Sequence, residues 1–371
     1  IRVLRELLPD FEILTPIQRG GQGHVYEAIQ KSTRRRVALK VLSRGPVAHE
    51  RQRARFLREI ELLSRFRHPH IVAVYDGGVA GDFCYFAMEF IDGLPLDDYA
   101  LLREPPLRDR VRLMECVCRA IDAAHQYGVI HRDLKPSNIL IDEQGEPHVL
   151  DFGLAKDLLQ PEESLTSDGL ILGTLHYLSP EQAAGRIHDV DVRSDVYALG
   201  VLMFQLAAGQ LPYPVEGGSH AIRETIIKDE PFRVRRAAQL TGHAPDYVKQ
   251  LNDDLQAILT KALEKEKAQR YVSAAALAED LKRFVEGDAV AARAGHRTYQ
   301  LRKFARRHRR GLFLTTFILV AIAGFSAAWI RQNLQTRVRV ASAELRQQEA
   351  YRLYAQFLPQ LSKTRARLCS P

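Results

Sequence analysis

The stretch that decides the fold is an eight-residue run near the middle of the chain, followed by two short runs. The eight residues read His131-Arg132-Asp133-Leu134-Lys135-Pro136-Ser137-Asn138. Thirteen residues after Asn138 comes Asp151-Phe152-Gly153, and later Ser179-Pro180-Glu181. Because these polar runs lie among segments with helical apolar periodicity, we expect the chemistry of the protein in residues 131–181.

The segment before this region has the pattern of a small sheet. An apolar stretch before Gly20 and residues 24–29 and 36–42 read as three strands, and Val37, Leu39 and Val41 alternate with polar positions. Residues 50–66 carry apolar side chains at helical intervals. Two more strands, 71–75 and 84–90, flank a turn at 81–82. The first ~90 residues therefore predict five antiparallel strands and one helix.

The second part of the chain is predicted to be helical. Apolar residues recur with a period near 3.6 in residues 108–127, 195–208, 252–262 and 273–285. The fold class is therefore α+β with two lobes, a small five-stranded antiparallel sheet plus one helix and a larger α-helical lobe.

Three glycines lie where the first predicted strand ends and the second begins. Gly20, Gly21 and Gly23 would let backbone amides approach phosphate oxygens, although glycines at a hairpin also form ordinary tight turns. Lys40 lies on the third strand and Glu59 on the following helix, so a buried Lys40 would have a counter-ion. A nucleotide P-loop is excluded, because the sequence has no GxxxxGK[ST] run.

Four motifs follow one another in order: Val37-Ala38-Leu39-Lys40, residues 131–138, Asp151-Phe152-Gly153 and Ser179-Pro180-Glu181. With these motifs, residues 11–286 resemble the protein kinase superfamily, specifically the bacterial eukaryotic-like serine/threonine kinases. The resemblance implies transfer of the ATP γ-phosphate to protein hydroxyls, with Mg²⁺ as the metal and Mn²⁺ as a substitute. A nucleotide-binding pseudokinase scaffold is the alternative. It is disfavoured because every charged residue needed for catalysis is present.

The resemblance also assigns roles to individual residues. Asp133 would accept the proton of the substrate hydroxyl, and Lys135 would contact the transferred phosphoryl group and favour serine and threonine. Asn138 and Asp151 would hold the metal. Lys40, paired with Glu59, would contact the phosphates. The implied nucleotide contacts are Ile17, Gly20, Gly21, Gly23, Val25, Ala38, Lys40, Met88, Glu89, Ile91 and Leu140.

Regulation and bracing are implied in the same way. Phosphorylation of Ser164, Thr166 or Ser167 would order the loop by pairing with Arg132. Thr174 would contact Asp133 and Lys135. Glu181 would form a buried ion pair with Arg270, and Asp195 would brace the catalytic loop.

The sequence departs from the family pattern in the glycine loop. Gln18 stands at the first glycine position and Gln22 replaces an aromatic residue at the loop tip. We expect these changes to affect nucleotide affinity.

The positive charge is concentrated at the end of the chain. Of 53 Lys and Arg, 16 follow residue 286, against three of the 45 Asp and Glu, so residues 1–286 hold 37 basic and 42 acidic residues. This distribution argues against nucleic acid as a partner of the main domain. Four scattered cysteines predict no disulfide framework, and we interpret Cys116 and Cys118 as packing residues of a helix.

Residues 311–330 carry no charge and predict one membrane-spanning helix, against the alternative of a buried core helix. Eight Lys and Arg in 293–310 against four in 331–348 predict a cell-membrane protein with a cytoplasmic kinase domain, whose residues 293–310 contact anionic lipid headgroups. Gly324 and Ala328 would permit a homodimer. The predicted segments are an N-terminal fragment (1–10), the kinase domain (11–286), a basic linker (287–310), the span (311–330) and an extracytoplasmic tail (331–371).

Overall fold

The computed structural model describes two compact units, Ile1–Gln300 and Leu301–Pro371. The residues it describes are 2–20, 23–42, 54, 56–58, 60–61, 64, 66–81, 83–152, 175–214, 217–294, 299, 303 and 309–368.

The first unit begins with a short helix and a five-stranded antiparallel sheet of order β1-β2-β3-β5-β4. Helix α1 covers Arg2–Leu7, and residues between 54 and 64 are helical at the described positions. The strands are β1 (Phe11–Gly20), β2 (Gly23–Gln30), β3 (Arg35–Leu42), β4 (Val74–Ala80) and β5 (Phe83–Glu89).

The two faces of this sheet have different partners because side chains alternate along β3. Val37, Leu39 and Val41 are buried on the outer face in a cluster with Leu4 and Leu8, which lie on and just after α1. The alternate positions belong to the inner face, where Ala38 joins the core shared with the second lobe. Lys40 is thereby directed inward, as the alternation predicted.

The fourth predicted strand begins later than expected. Residues 71–75 were predicted, whereas β4 starts at Val74. Ile71 forms a parallel bridge with Val149, and Val72 N donates to Val149 O at 3.0 Å. This part of the segment therefore pairs with the second lobe and not with the sheet.

The second lobe contains a small sheet and a group of helices. The strands β6 (Gly93–Pro95), β7 (Ile139–Asp142) and β8 (Pro147–Val149) pair in that order. The helices are α2 (Leu96–Arg103), α3 (Leu107–Gln126), α4 (Pro180–Ala183), α5 (Val192–Ala208), α6 (Ser219–Lys228), α7 (Val234–Leu240), α8 (Pro245–Gln250), α9 (Asp253–Ala262) and α10 (Ala274–Glu286).

Helix α5 is the centre of this lobe. It begins at the capping residue Asp191 and ends before Gly209, which has a positive φ of 72°. A Cβ on Gly200 would lie 2.8 Å from Ala262 Cβ, so glycine allows α9 to approach closely. The site described below is attached to the first turn of α5.

The first residues of the predicted linker are packed on the helical lobe. Val290 is buried, and Asp280 of α10 accepts hydrogen bonds from the backbone of Ala291 at 2.6 Å and Ala292 at 2.8 Å. Arg293 forms an ion pair with Asp254 of α9 at 2.8 Å. The compact unit therefore continues beyond residue 286.

The second unit contains helix α11, Arg309–Leu368. Its stretch Thr315–Ala355 is long and apolar enough to cross a membrane, and none of its most apolar window is buried. Phe317, Leu319 and Trp329 are among its exposed apolar side chains.

Candidate active site

One buried carboxylate fixes the start of the 131–138 segment. Asp195, on α5, accepts hydrogen bonds from His131 N at 2.8 Å and from Arg132 N at 2.9 Å. Its Oδ2 also lies 2.8 Å from His125 Nε2 on α3. Arg132 has a positive φ of 61°, a conformation that costs energy for a residue with a side chain. The bonds to Asp195 hold this unusual backbone in place.

His131 connects the loop with the segment that carries Asp151. Its ring is fully buried, and Nε2 lies 2.8 Å from Leu150 O while Nδ1 lies 3.3 Å from Asp133 N. A carbonyl accepts and an amide donates, so Nε2 carries the proton and Nδ1 is the acceptor. Burial lowers the pKa of His131, against the nearby carboxylates, which favours this neutral tautomer.

The candidate proton acceptor lies between a cation and an amide. Asp133 is 9% exposed, and its Oδ2 lies 3.1 Å from Lys135 Nζ and 3.3 Å from Asn138 Nδ2. Asn138 Nδ2 also donates to Asp133 O at 2.8 Å. A short 3₁₀ turn, Pro136–Asn138, brings the amide back toward the aspartate. The three residues that the motif predicted therefore form one constellation.

Lys40 brings a cation from the small lobe to the site. Lys40 Nζ on β3 lies 2.6 Å from Asp151 Oδ2, across 111 positions of sequence. Asp151 has a positive φ of 51°. The other oxygen, Oδ1, is buried and has no hydrogen-bond partner among the described residues. The expected partner of Lys40, Glu59, lies outside the described residues, so their predicted pairing stays a prediction.

The donor set fits a hard divalent metal. A buried carboxylate oxygen without a partner is costly unless a ligand satisfies it, and within the described part of the chain Asp151 Oδ1 is such an atom. Asn138 uses its amide nitrogen toward Asp133, which leaves its amide oxygen for another partner. Carboxylate and amide oxygens are the ligands that Mg²⁺ and Mn²⁺ bind.

Several predicted nucleotide contacts share the inner face of the sheet. The strand register places Val25 opposite Lys40 and Ala38 opposite Met88. Directly paired residues project to the same face, so these four positions form one surface beside the Lys40–Asp151 pair. Met88 is buried and also lines an apolar cavity that reaches Asp151 and Phe152.

The remaining predicted contacts lie at the ends of strands. Gly20 and Gly23 pair across the β1–β2 turn, and Ile17 on β1 is 51% exposed. Leu140 on β7 pairs with Pro95. Glu89 N donates to Ala73 O at 2.9 Å, so this amide is already used, and Ile91 follows β5.

A charge pair that is almost completely buried joins α4 to the segment between α9 and α10. Arg270 donates to both oxygens of Glu181 at 2.9 Å, and Ser194 Oγ donates to Oε1 at 2.5 Å. Burial raises the pKa of Glu181, but the bonds from Arg270 and Ser194 outweigh it and lower the pKa to about 2. The predicted ion pair is present.

Sequence reasoning missed two supporting residues. Gln182 Nε2 donates to Arg132 O at 3.1 Å, and His125 contacts Asp195. The Ser179-x-x-Gln182 spacing indicates a capping box, which the structure contains. No local pattern points to the second contact of Gln182, because its partner lies 50 residues earlier.

With this geometry in place, comparison with known proteins decides the family. A family model described as a protein kinase domain matches residues 11–281. The chain belongs to the protein kinase family.

Curated relatives of this kinase-family chain come from several bacteria. The serine/threonine-protein kinase PknB of Mycolicibacterium smegmatis is 36% identical over 276 residues, which cover 73% of this chain and 42% of the relative. Pkn3 of Myxococcus xanthus is 38% identical over 275 residues, 72% of this chain and 48% of the relative. The chain therefore spans less than half the length of these relatives.

A solved structure of a kinase domain agrees with this family assignment. The crystal structure of the Mycobacterium tuberculosis PknI kinase domain is 28% identical, has a TM-score of 0.56, and is matched over 74% of this chain and 96% of that chain.

Some predicted kinase residues lie outside the described residues. They are Gly21, Glu59, Ser164, Thr166, Ser167 and Thr174.

Proposed function

We propose that this chain is an active protein kinase that transfers the γ-phosphate of ATP to serine and threonine hydroxyls of proteins. The observation that carries the proposal is the constellation of Asp133, Lys135 and Asn138 in the helical lobe. Lys40 of the small lobe joins it through its contact with Asp151. The relatives are named serine/threonine-protein kinases, which supports the same substrate class.

In the proposed reaction, bound ATP with Mg²⁺ or Mn²⁺ supplies the phosphoryl group and offsets the charge on its oxygens. Asn138 and Asp151 would hold the metal. Asp133 orients the substrate hydroxyl and accepts its proton. Lys135 Nζ lies 3.1 Å from Asp133 Oδ2. It can therefore contact the phosphoryl group that is transferred to the substrate hydroxyl. Lys40 contacts the other phosphates from the small lobe.

A pseudokinase scaffold would bind nucleotide without transferring phosphate. Such a protein has no use for a proton acceptor held by both a lysine and an amide. The retention of Asp133, Lys135 and Asn138 together therefore favours the active enzyme.

Activation is proposed to follow phosphorylation of Ser164, Thr166 or Ser167. Arg132 precedes Asp133 directly and its backbone is fixed by Asp195, so a phosphate that pairs with its guanidinium would act next to the proton acceptor. Replacement of all three hydroxyl residues by alanine should leave a kinase of low activity. Full activity in that triple variant would contradict the proposal.

The chain is further proposed to be a single-pass membrane protein with its kinase domain in the cytoplasm. The apolar helix α11 and the excess of Lys and Arg before it support this orientation. The basic residues of 293–310 would contact anionic headgroups, with Arg293 already paired to Asp254. Gly324 and Ala328 would allow two spans to pack as a dimer.

The test is phosphate transfer from γ-labelled ATP to casein and to the chain itself. Asp133→Asn should abolish transfer while nucleotide binding persists, and Asp98→Asn, at an exposed acid of α2, is the matched control. Label should be recovered on serine and threonine. Transfer by Asp133→Asn at the normal rate would refute the proposed role, and nucleotide binding without transfer by the normal chain would favour the scaffold.

A further inference from the structure

Three side chains of metal-ligating type meet outside the site described above. His70, Cys116 and Glu146 each offer one ligand atom, and these atoms lie within 4.8 Å of one another. His70 lies between the helical residues near 60 and β4, Cys116 lies on α3, and Glu146 directly precedes β8. Among the described residues no other group of three such side chains comes together in this way.

Two of the three segments are held together by backbone hydrogen bonds. Val149 N donates to His70 O at 2.9 Å, and Asp142 N donates to Glu146 O at 3.1 Å. Helix α3, which carries Cys116, packs against β8. The fold itself therefore sets the spacing of the three side chains, and a ligand would not have to assemble them.

The imidazole and the carboxylate are also placed for a ligand. His70 Nδ1 lies 3.0 Å from Pro147 O, a contact that fixes the ring plane, and 3.9 Å from Glu146 Oε2. A carbonyl accepts, so Nδ1 carries the proton in this contact and Nε2 is the nitrogen that could bind an ion while the bond is kept, as is typical of histidines that bind metals. Binding through Nδ1 would require the bond to Pro147 O to be released. The Glu146 side chain is 58% exposed, so an ion can reach the cluster from solvent.

The mixture of donors selects the ion. Thiolate sulfur, imidazole nitrogen and a single carboxylate suit Zn²⁺ and are a poor set for Mg²⁺, which prefers oxygen ligands. We propose that His70, Cys116 and Glu146 bind one Zn²⁺, with water as the fourth ligand. On binding, the S–H bond of Cys116 breaks, its proton passes to solvent and the sulfur electron pair forms the bond to zinc.

The consequence is a link between the lobes. His70 belongs to the segment that leads into β4 of the small lobe, whereas Cys116 and Glu146 belong to the helical lobe. Zinc binds the folded arrangement and not the unfolded chain with its separated ligands, so it should raise the midpoint of thermal unfolding.

The experiment uses the full chain in detergent after treatment with a chelator. Zn²⁺ is titrated in competition with a chromophoric chelator, and Co²⁺ is added separately because a cobalt–thiolate bond gives a charge-transfer absorption. We expect one zinc per chain at this site and the charge-transfer band. Cys116→Ser should abolish the band, and Glu146→Gln should weaken zinc binding by ~10-fold or more.

Two control variants complete the design. Cys118→Ala removes a thiol on the same helix that is not in the cluster and should keep the band, and Asp151→Asn, which changes the proposed magnesium site, should keep it as well. Glu146 is exposed, so Glu146→Gln should unfold at the normal temperature without metal. Absence of the band in the normal chain, its persistence in Cys116→Ser, or unchanged zinc affinity in Glu146→Gln would overturn the proposal.

Discussion

Neutralising Glu181 should destabilise the helical lobe, because it leaves the buried guanidinium of Arg270 without its counter-ion. The two side chains are 2% and 0% exposed, so water cannot replace the lost partner. The pKa of Glu181 is lowered from 4.5 to about 2, and this difference corresponds to ~3 kcal/mol of folding free energy. Loss of one partner of a buried pair typically costs ~3–5 kcal/mol, which agrees. We therefore expect Glu181→Gln to lower the free energy of unfolding by ~3 kcal/mol.

The measurement is urea denaturation of the chain in detergent, followed by circular dichroism. Because the folded-state pKa of Glu181 lies below its unfolded value of 4.5, the contribution is complete above about pH 5 and is lost as the pH falls toward 2. The difference between the normal chain and Glu181→Gln should shrink over that interval. Lys228→Met, which breaks the exposed pair with Glu224, is the control and should cost ~1 kcal/mol or less.

A double-mutant cycle separates the pair from the other contacts of Arg270. Arg270 also donates to the backbone oxygens of Arg193, Glu264 and Lys265, so Arg270→Met should cost more than Glu181→Gln. The double variant should cost less than the sum of the two single variants, because no unpaired buried charge remains when both partners are removed. A destabilisation below ~1 kcal/mol for Glu181→Gln near neutral pH, or a difference that does not change down to pH 2, would refute the reasoning.

Two further predictions concern the nucleotide site and the span. Lys40→Met should lower kcat/KM for phosphate transfer by ~10²–10³, since it removes a charge that is proposed to face the phosphates, whereas Lys249→Met, at a lysine that is 76% exposed, should leave the rate unchanged. A Lys40→Met rate within a factor of ~3 of normal would exclude the proposed contact. Leu319→Arg should cost ~2.5–3.5 kcal/mol of insertion free energy and reduce the membrane-integrated fraction measured by alkaline extraction, while Leu345→Arg, beyond the predicted span, should integrate normally. Equal integration of both variants would contradict the predicted position of the span.

Local pattern was sufficient for the long helices and most strands. Residues 108–127 were predicted as a helix and α3 is Leu107–Gln126, because a continuous apolar stripe needs no distant information. The fourth strand was misplaced for a physical reason. Gly77 and Gly78 resemble a turn, yet a Cβ on Gly77 would lie 2.6 Å from Ile60 Cδ1, so glycine is required there for close approach of a helix residue.

The site was predictable where its residues are contiguous and not where they converge. Asp133, Lys135 and Asn138 were identified together because residues 131–138 resemble the kinase motif, and a short turn brings the three side chains together in the structure. The contact of Lys40 with Asp151 depends on how the lobes close, which no local spacing encodes. Cys116 was interpreted as a packing residue because Cys118 faces elsewhere on α3. Its neighbours His70 and Glu146 come from segments that only the tertiary fold brings together.

The uninterrupted helix α11 has a mechanical meaning. From Arg331 to Leu358 it runs 28 residues past the predicted span without glycine or proline, a length of ~42 Å. A continuous helix bends gently and has no hinge, so a displacement at one end reaches the other as rotation, tilt or axial sliding. Pro359, directly after this stretch, is the first proline or glycine beyond the predicted span, so a force applied beyond it would be transmitted less directly.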